Sequence, residues 1–182
     1  MSNQVFTKLN ELDLTLFYGT DSVVLAAVAP LYTITKAGLG TASAKATHLF
    51  THDAEDTPAN EGTFTIATIT GANAITVTEA LTANADDDSI VLHGEWQSSW
   101  HRVEFYSRIT GPVVSDVTGS LIVDWSPIAG TTGMSSVTTA IVAGTPLTYA
   151  AEIISPYVRF RIRNNGAATA TVTGCLYAKA LT

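Results

Sequence analysis

Ser155-Pro-Tyr-Val-Arg-Phe-Arg-Ile-Arg-Asn-Asn-Gly166 is the stretch whose alternation decides the fold class. Val158, Phe160 and Ile162 share one parity; Tyr157, Arg159, Arg161 and Arg163 share the other. Successive side chains of a strand point to opposite faces, so the pattern predicts a half-buried β-strand with an arginine row on its outer face. Asn164-Asn165-Gly166 then supplies residues that tolerate the positive φ of a tight reversal. Like charges at every second position of one strand repel unless a carboxylate answers them. Glu104 or Asp124 is the expected answer from a neighbouring strand, and an acidic partner surface is the alternative.

The same period recurs outward from this strand. Gly119 to Ser126 alternates with Leu121, Val123 and Trp125 inward. Trp100 to Ile109 reads as one strand with Val103, Phe105 and Ile109 inward and Arg102, Glu104 and Arg108 outward. Further strands are predicted over 137–142, 147–154 and 168–181, with turn residues such as Ala143-Gly-Thr-Pro146 between them. Strands at this spacing predict an antiparallel sandwich of jelly-roll type over residues 96–182. Upstream, Glu61 to Leu81 reads as a hairpin about Gly71-Ala-Asn-Ala74, within a small β-barrel-like domain over 36–95. Leu12, Leu14 and Leu16 alternate with Asp13 and Thr15, so residues 1–35 are expected to hold an N-terminal arm and the first strands. The fold class is therefore all-β, with no amphipathic helix of any length.

Composition agrees with that class. The chain of 182 residues is 46% hydrophobic and only 14% charged, which is too apolar for disorder and suggests a surface partly covered by other subunits. A net charge of −7 argues against nucleic acid or an anionic membrane as partner. Charge is uneven: residues 1–95 hold twelve acids against Lys8, Lys36 and Lys45, whereas 96–182 hold four acids against five arginines and Lys179. The longest apolar run, Val23 to Leu31, is too short to span a bilayer, and no secretory core opens the chain. Synthesis in the cytoplasm is expected.

Residues able to carry chemistry are few. Cys175 is the sole cysteine and lies in a strand-like run, which favours a structural role. His48 and His52 lie four apart beside Asp53, a spacing that serves a metal on a helix; on a strand no third ligand is evident. Asp86-Asp87-Asp88 lacks the spacing and distal glutamate of a calcium loop. No phosphate-binding glycine loop, zinc-protease helix motif or nucleophile elbow occurs. No catalytic residue, metal ligand or cofactor is assigned, and the chain is read as a non-enzyme. Trp96, Trp100, Tyr106 and Trp125 are the residues from which a sugar-stacking platform could be built, although Trp125 shares the parity of Leu121 and Val123 and is placed in the core.

Three stretches carry a resemblance: Ser120-Leu-Ile-Val-Asp-Trp-Ser126, the arginine strand to Gly166, and Ala170-Thr-Val-Thr-Gly-Cys-Leu-Tyr177. Together they resemble a jelly-roll module of tailed-bacteriophage virion proteins. That module has Asp-Gly after the serine where this chain has Pro127-Ile-Ala-Gly130. Such modules occur in capsid decoration (cement), head-fibre and tail proteins. The resemblance implies a virion structural protein, foremost a decoration protein on the capsid exterior. Its partners would then be the major capsid protein and further copies of itself, as a homotrimer. The alternative it implies is a tail or fibre protein binding host-surface glycans. Phe6 and Leu9 of the N-terminal arm, with Arg159, Arg161 and Arg163, are the interface candidates.

Overall fold

The computed structural model describes residues 6–20, 23–27, 32–43, 45–52, 60–87 (the backbone only for 84–87) and 90–180. Their first half forms β1 (Phe6–Leu16), β2 (Tyr18–Thr20), β3 (Val23–Ala26), β4 (Tyr32–Thr35), the helical turn α1 (Leu39–Ala42), β5 (His48–His52), β6 (Gly62–Gly71), β7 (Ala74–Val77) and β8 (Asn84–Asp87). The second half forms β9 (Val91–Gln97), β10 (His101–Arg102), β11 (Tyr106–Ser115), β12 (Gly119–Ser126), β13 (Ser135–Ile141), β14 (Leu147–Glu152), β15 (Tyr157–Asn164) and β16 (Ala170–Ala180). The all-β class read from the sequence holds. The one α-helix among the described residues is a four-residue turn inside the Gly/Ala/Thr/Ser stretch.

Two compact units divide these strands. Of the described residues, 6–14, 97–162 and 171–180 form the first unit, and 15–20, 23–27, 32–43, 45–52, 60–87, 90–96 and 163–170 the second. The chain passes between the units after Leu14, Trp96, Ile162 and Ala170. Most of β1 belongs with the C-terminal strands, because its partner in the sheet is β16.

The first unit is sandwich-like. One sheet has the order β1-β16-β11-β14, with β11 antiparallel to both β14 and β16. The other runs β13-β12-β15, with β10 paired antiparallel to the start of β15. Leu121, Val123, Val158, Phe160 and Ile162 are fully buried, as the alternation predicts. Phe105 departs from its predicted inward place and is 68% exposed. The run Trp100 to Ile109 is not one strand: Tyr106 N–H bonds the Val103 carbonyl at 3.0 Å and closes a turn that carries Phe105 outward.

Strands of the second unit follow the path β2-β9-β5-β6-β7-β4-β3-β8, each pairing along it being antiparallel. The path is open, and no barrel closes. Strand β6 joins its two halves: Gly62 to Thr65 pair with β5, and Ile66 to Gly71 pair with β7 through two register shifts. The predicted hairpin is thus β6 and β7. Ile34, Leu39, Leu49, Ile75, Ile90 and Leu92 form the heart of this unit's core.

Within the first unit, β11 and β16 approach closely at two glycines. A Cβ on Gly111 would lie 1.9 Å from the Cys175 carbonyl oxygen, and one on Gly174 would lie 2.2 Å from that of Pro112. Neither backbone can give way without losing ladder bonds. Gly111→Ala is expected to destabilise the fold by about 1–3 kcal/mol, the usual cost of overpacking. Urea unfolding of the variant beside wild type measures this, and an unchanged midpoint contradicts the close approach.

Candidate functional site

The arginine row is answered from inside the protein. Asp124 lies on β12, which neighbours β15, and is fully buried. Its Oδ2 accepts Nε and Nη2 of Arg159 at 3.0 and 2.7 Å and Nε of Arg161 at 2.9 Å. Its Oδ1 accepts Nη2 of Arg161 at 3.0 Å and the hydroxyl of Ser136 at 2.7 Å, Ser136 being the residue opposite it on β13. One carboxylate thus holds two guanidinium groups, which satisfies the demand that a buried charge be paired and hydrogen-bonded. Arg159 also lies over the Trp100 ring, 4.8 Å from its centroid. Glu104 plays no part here; it pairs with Arg102 near the surface.

Arg163 belongs to the second unit and has its own partner. Its Nε donates to Oε2 of Glu95 at 2.6 Å, and its guanidinium lies 3.8 Å from the centroid of Phe50. Glu95 and His93 alternate along β9, and His48 and Phe50 stand opposite them on β5. From Phe50 a row of rings continues: Phe50 to His52 at 5.8 Å, His52 to His93 at 4.9 Å, His93 to Tyr18 at 5.3 Å. The two histidines meet Nε2 to Nε2 at 2.9 Å, so one ring donates and the other accepts. His48 bonds Thr47 through Nδ1 at 2.8 Å. Asp53 lies outside the described residues. So do the side chains of the Asp86–Asp88 run, whose backbone enters β8 as far as Asp87.

Asn164 takes a role the sequence did not show. It is buried, and its Nδ2 donates to the carbonyls of Leu16, Phe17 and Ala168 at 3.1, 3.3 and 2.8 Å. Its Oδ1 accepts the Gly166 N–H at 2.9 Å. The residue expected to permit a turn is also the pin that ties that turn to the end of β1.

The side chains of Arg159, Arg161 and Arg163 are only 11%, 18% and 20% exposed. They form internal ion pairs rather than an open basic row, which removes the charge argument for placing them at an interface. Phe6 remains available. It borders an apolar groove of about 430 Å³ on the first unit, together with Thr110, Gly111, Pro112, Thr148 and Tyr177. These residues come from all four strands of the β1-β16-β11-β14 sheet. Leu9, further along β1, is partly buried and does not border it. Trp125 is in the core as expected, and one face of Trp100 is taken by Arg159. Compared with known proteins, the chain matches no family model and no curated protein.

Burial pushes the Asp124 carboxyl up, but the bonds from Arg161, Ser136 and Arg159 and the Arg161 charge outweigh it, and it lies below its ordinary 3.8. The folded state therefore holds this proton less tightly than the unfolded chain. The carboxylate's contribution to stability is complete above the ordinary carboxylate range and is lost as pH falls through the lowered value. Asp124→Asn leaves two nearly buried guanidinium groups without their anion, and is expected to cost about 3–5 kcal/mol at neutral pH. Urea unfolding checks both points: the wild-type midpoint should fall more steeply below about pH 4 than that of the variant. Parallel pH profiles would remove Asp124 from this role.

Proposed function

We propose that this chain is a non-enzymatic structural protein of a tailed-phage virion, acting as a decoration (cement) protein on the capsid exterior. In this reading it binds the major capsid protein as a symmetric oligomer, with three copies the expected count. What supports it is where the resembling stretches fall. Ser120 to Ser126 is the body of β12, the arginine strand is β15, and Ala170 to Tyr177 opens β16. β12 and β15 are neighbours in one sheet and β16 lies in the other, within a jelly-roll-like β-sandwich.

The observation that carries the docking half of the reading is the apolar groove bordered by Phe6. Apolar concavities exposed on a soluble surface mark sites of association. A shell offers the same seat many times over. A protein that binds only the assembled lattice stabilises it by mass action, through many weak contacts in parallel. The glycan-binding alternative would use Trp96 and Trp100, and the Arg159 stack leaves less of Trp100 for a sugar.

Co-sedimentation with purified shells of the encoding phage, stripped of this protein, is the test. Saturable binding is expected, and Phe6→Asp should weaken it at least about tenfold, an effect of about 1.4 kcal/mol. Absence of binding at saturating protein, together with capture by a glycan array that is lost in Trp96→Ala and Trp100→Ala, would replace the capsid reading with the adsorption one.

A further inference from the structure

The sheet β13-β12-β15 ends at β13, and this end strand and its neighbour β12 are built in opposite ways. Every residue of β12 is buried. In β13, Ser135, Ser136, Val137, Thr138 and Ala140 are exposed, so both of its faces look outward. β13 is held by one ladder, from Ser135 opposite Trp125 to Ile141 opposite Gly119, without a bulge. In an antiparallel ladder every second residue turns its N–H and C=O away from its partner. Those groups line the outer edge, where no described strand pairs with them.

Soluble proteins blunt such edges with charge, proline, bulges or a covering loop. Here none of the first three is used. Residues 125–151 contain no Asp, Glu, Lys, Arg or His, and β13 contains no proline. β14, the next strand in the chain, is the end strand of the other sheet and lies in the same uncharged stretch up to Ala151, its last residue being Glu152. Val137 and Val142 are 48% and 59% exposed, and Ile128 is exposed as well. This flank has the chemistry of a surface that is covered.

We propose that β13 pairs antiparallel with β13 of a second copy of this chain, about a two-fold axis at Thr138. Charge selects the occupant. Each copy carries −7 overall, and two copies repel wherever their charged surfaces meet; the uncharged flank is where they approach without that penalty. Self-pairing in this register sets Val137 opposite Thr139 and Ser136 opposite Ala140, a β-branched pair and a small pair with no like charges. An isologous contact closes at two copies and does not grow into a filament. The inference rests on the oligomer half of the proposed function and is independent of shell binding. By itself the contact gives a dimer; trimers would be joined by it in pairs.

The experiment is sedimentation velocity with light scattering on the full chain at about 1 to 100 μM, where mass action displays such association. Wild type is expected to reach an even number of copies. Val137→Lys/Thr138→Lys, which places four lysines about the axis, should halve that mass while leaving the far-UV dichroism and urea midpoint unchanged. A second measurement needs no variant: exchange of the Ser135–Ile141 amides in wild type should slow as concentration rises. A wild-type trimer whose mass the lysines do not alter overturns the β13 contact and leaves the oligomer reading standing. A wild-type monomer throughout, with concentration-independent exchange, overturns both while leaving shell binding to its own assay.

Discussion

The constraint on which the first unit depends is a charge problem solved inside the sheet. Arg159 and Arg161 sit two residues apart on β15 and project from the same face, where like charges repel. A single carboxylate, that of Asp124, accepts from both and from Ser136. It can do so because β12 runs between β13 and β15, which brings the serine to it from one side and the arginines from the other. A buried ionic cluster of this kind contributes little net stability compared with apolar packing, but it tolerates no slip in register. Shifting β12 by one residue would put Asp124 into the hydrophobic core and Val123 or Trp125 against the guanidinium groups. The cluster therefore helps choose one pairing of the three strands over its neighbours.

The second unit uses the same device with different surroundings. Glu95 answers Arg163, and the guanidinium rests on Phe50 rather than on a second carboxylate. The ring row from Phe50 to Tyr18 continues across β5, β9 and β2, so polar and aromatic groups share a face that the alternation of β9 sets apart from Leu92. Asn164 finishes the job at the end of β15 by satisfying carbonyls of Leu16, Phe17 and Ala168. Buried carbonyls left unpaired would cost about 1–3 kcal/mol each, which explains an amide at this position.

Against these interiors, β13 and the uncharged stretch 125–151 around it stand out by their lack of charge. The chain carries most of its acids before residue 96, and its arginines are largely spent on internal pairs. Charge is thus concentrated in one part of the chain and absent from residues 125–151. The apolar groove on the β1-β16-β11-β14 sheet adds a second uncharged feature to the same unit.

Much of this architecture was legible in the sequence, because a period of two is a local property. Val158, Phe160, Ile162, Leu121 and Val123 are buried where the alternation puts them, and β6 and β7 form the hairpin that Gly71 to Ala74 announces. Where a local reading failed, a contact distant in sequence or a turn had intervened. Phe105 keeps the parity of Val103 but lies within a turn, and the first thirty-five residues are divided because β1 pairs with β16. Asp124 was one of two carboxylates with a claim on the arginine row, and only the neighbour relation of β12 and β15 decided between it and Glu104. By itself, the sequence determined the all-β class, the inward set of the arginine strand and the need for an anion beside it. Which anion, which strands share an edge, and that Arg163 has a different partner from Arg159 and Arg161 were decided by the tertiary structure, because pairing between strands far apart in the chain depends on register in space and leaves no periodic trace.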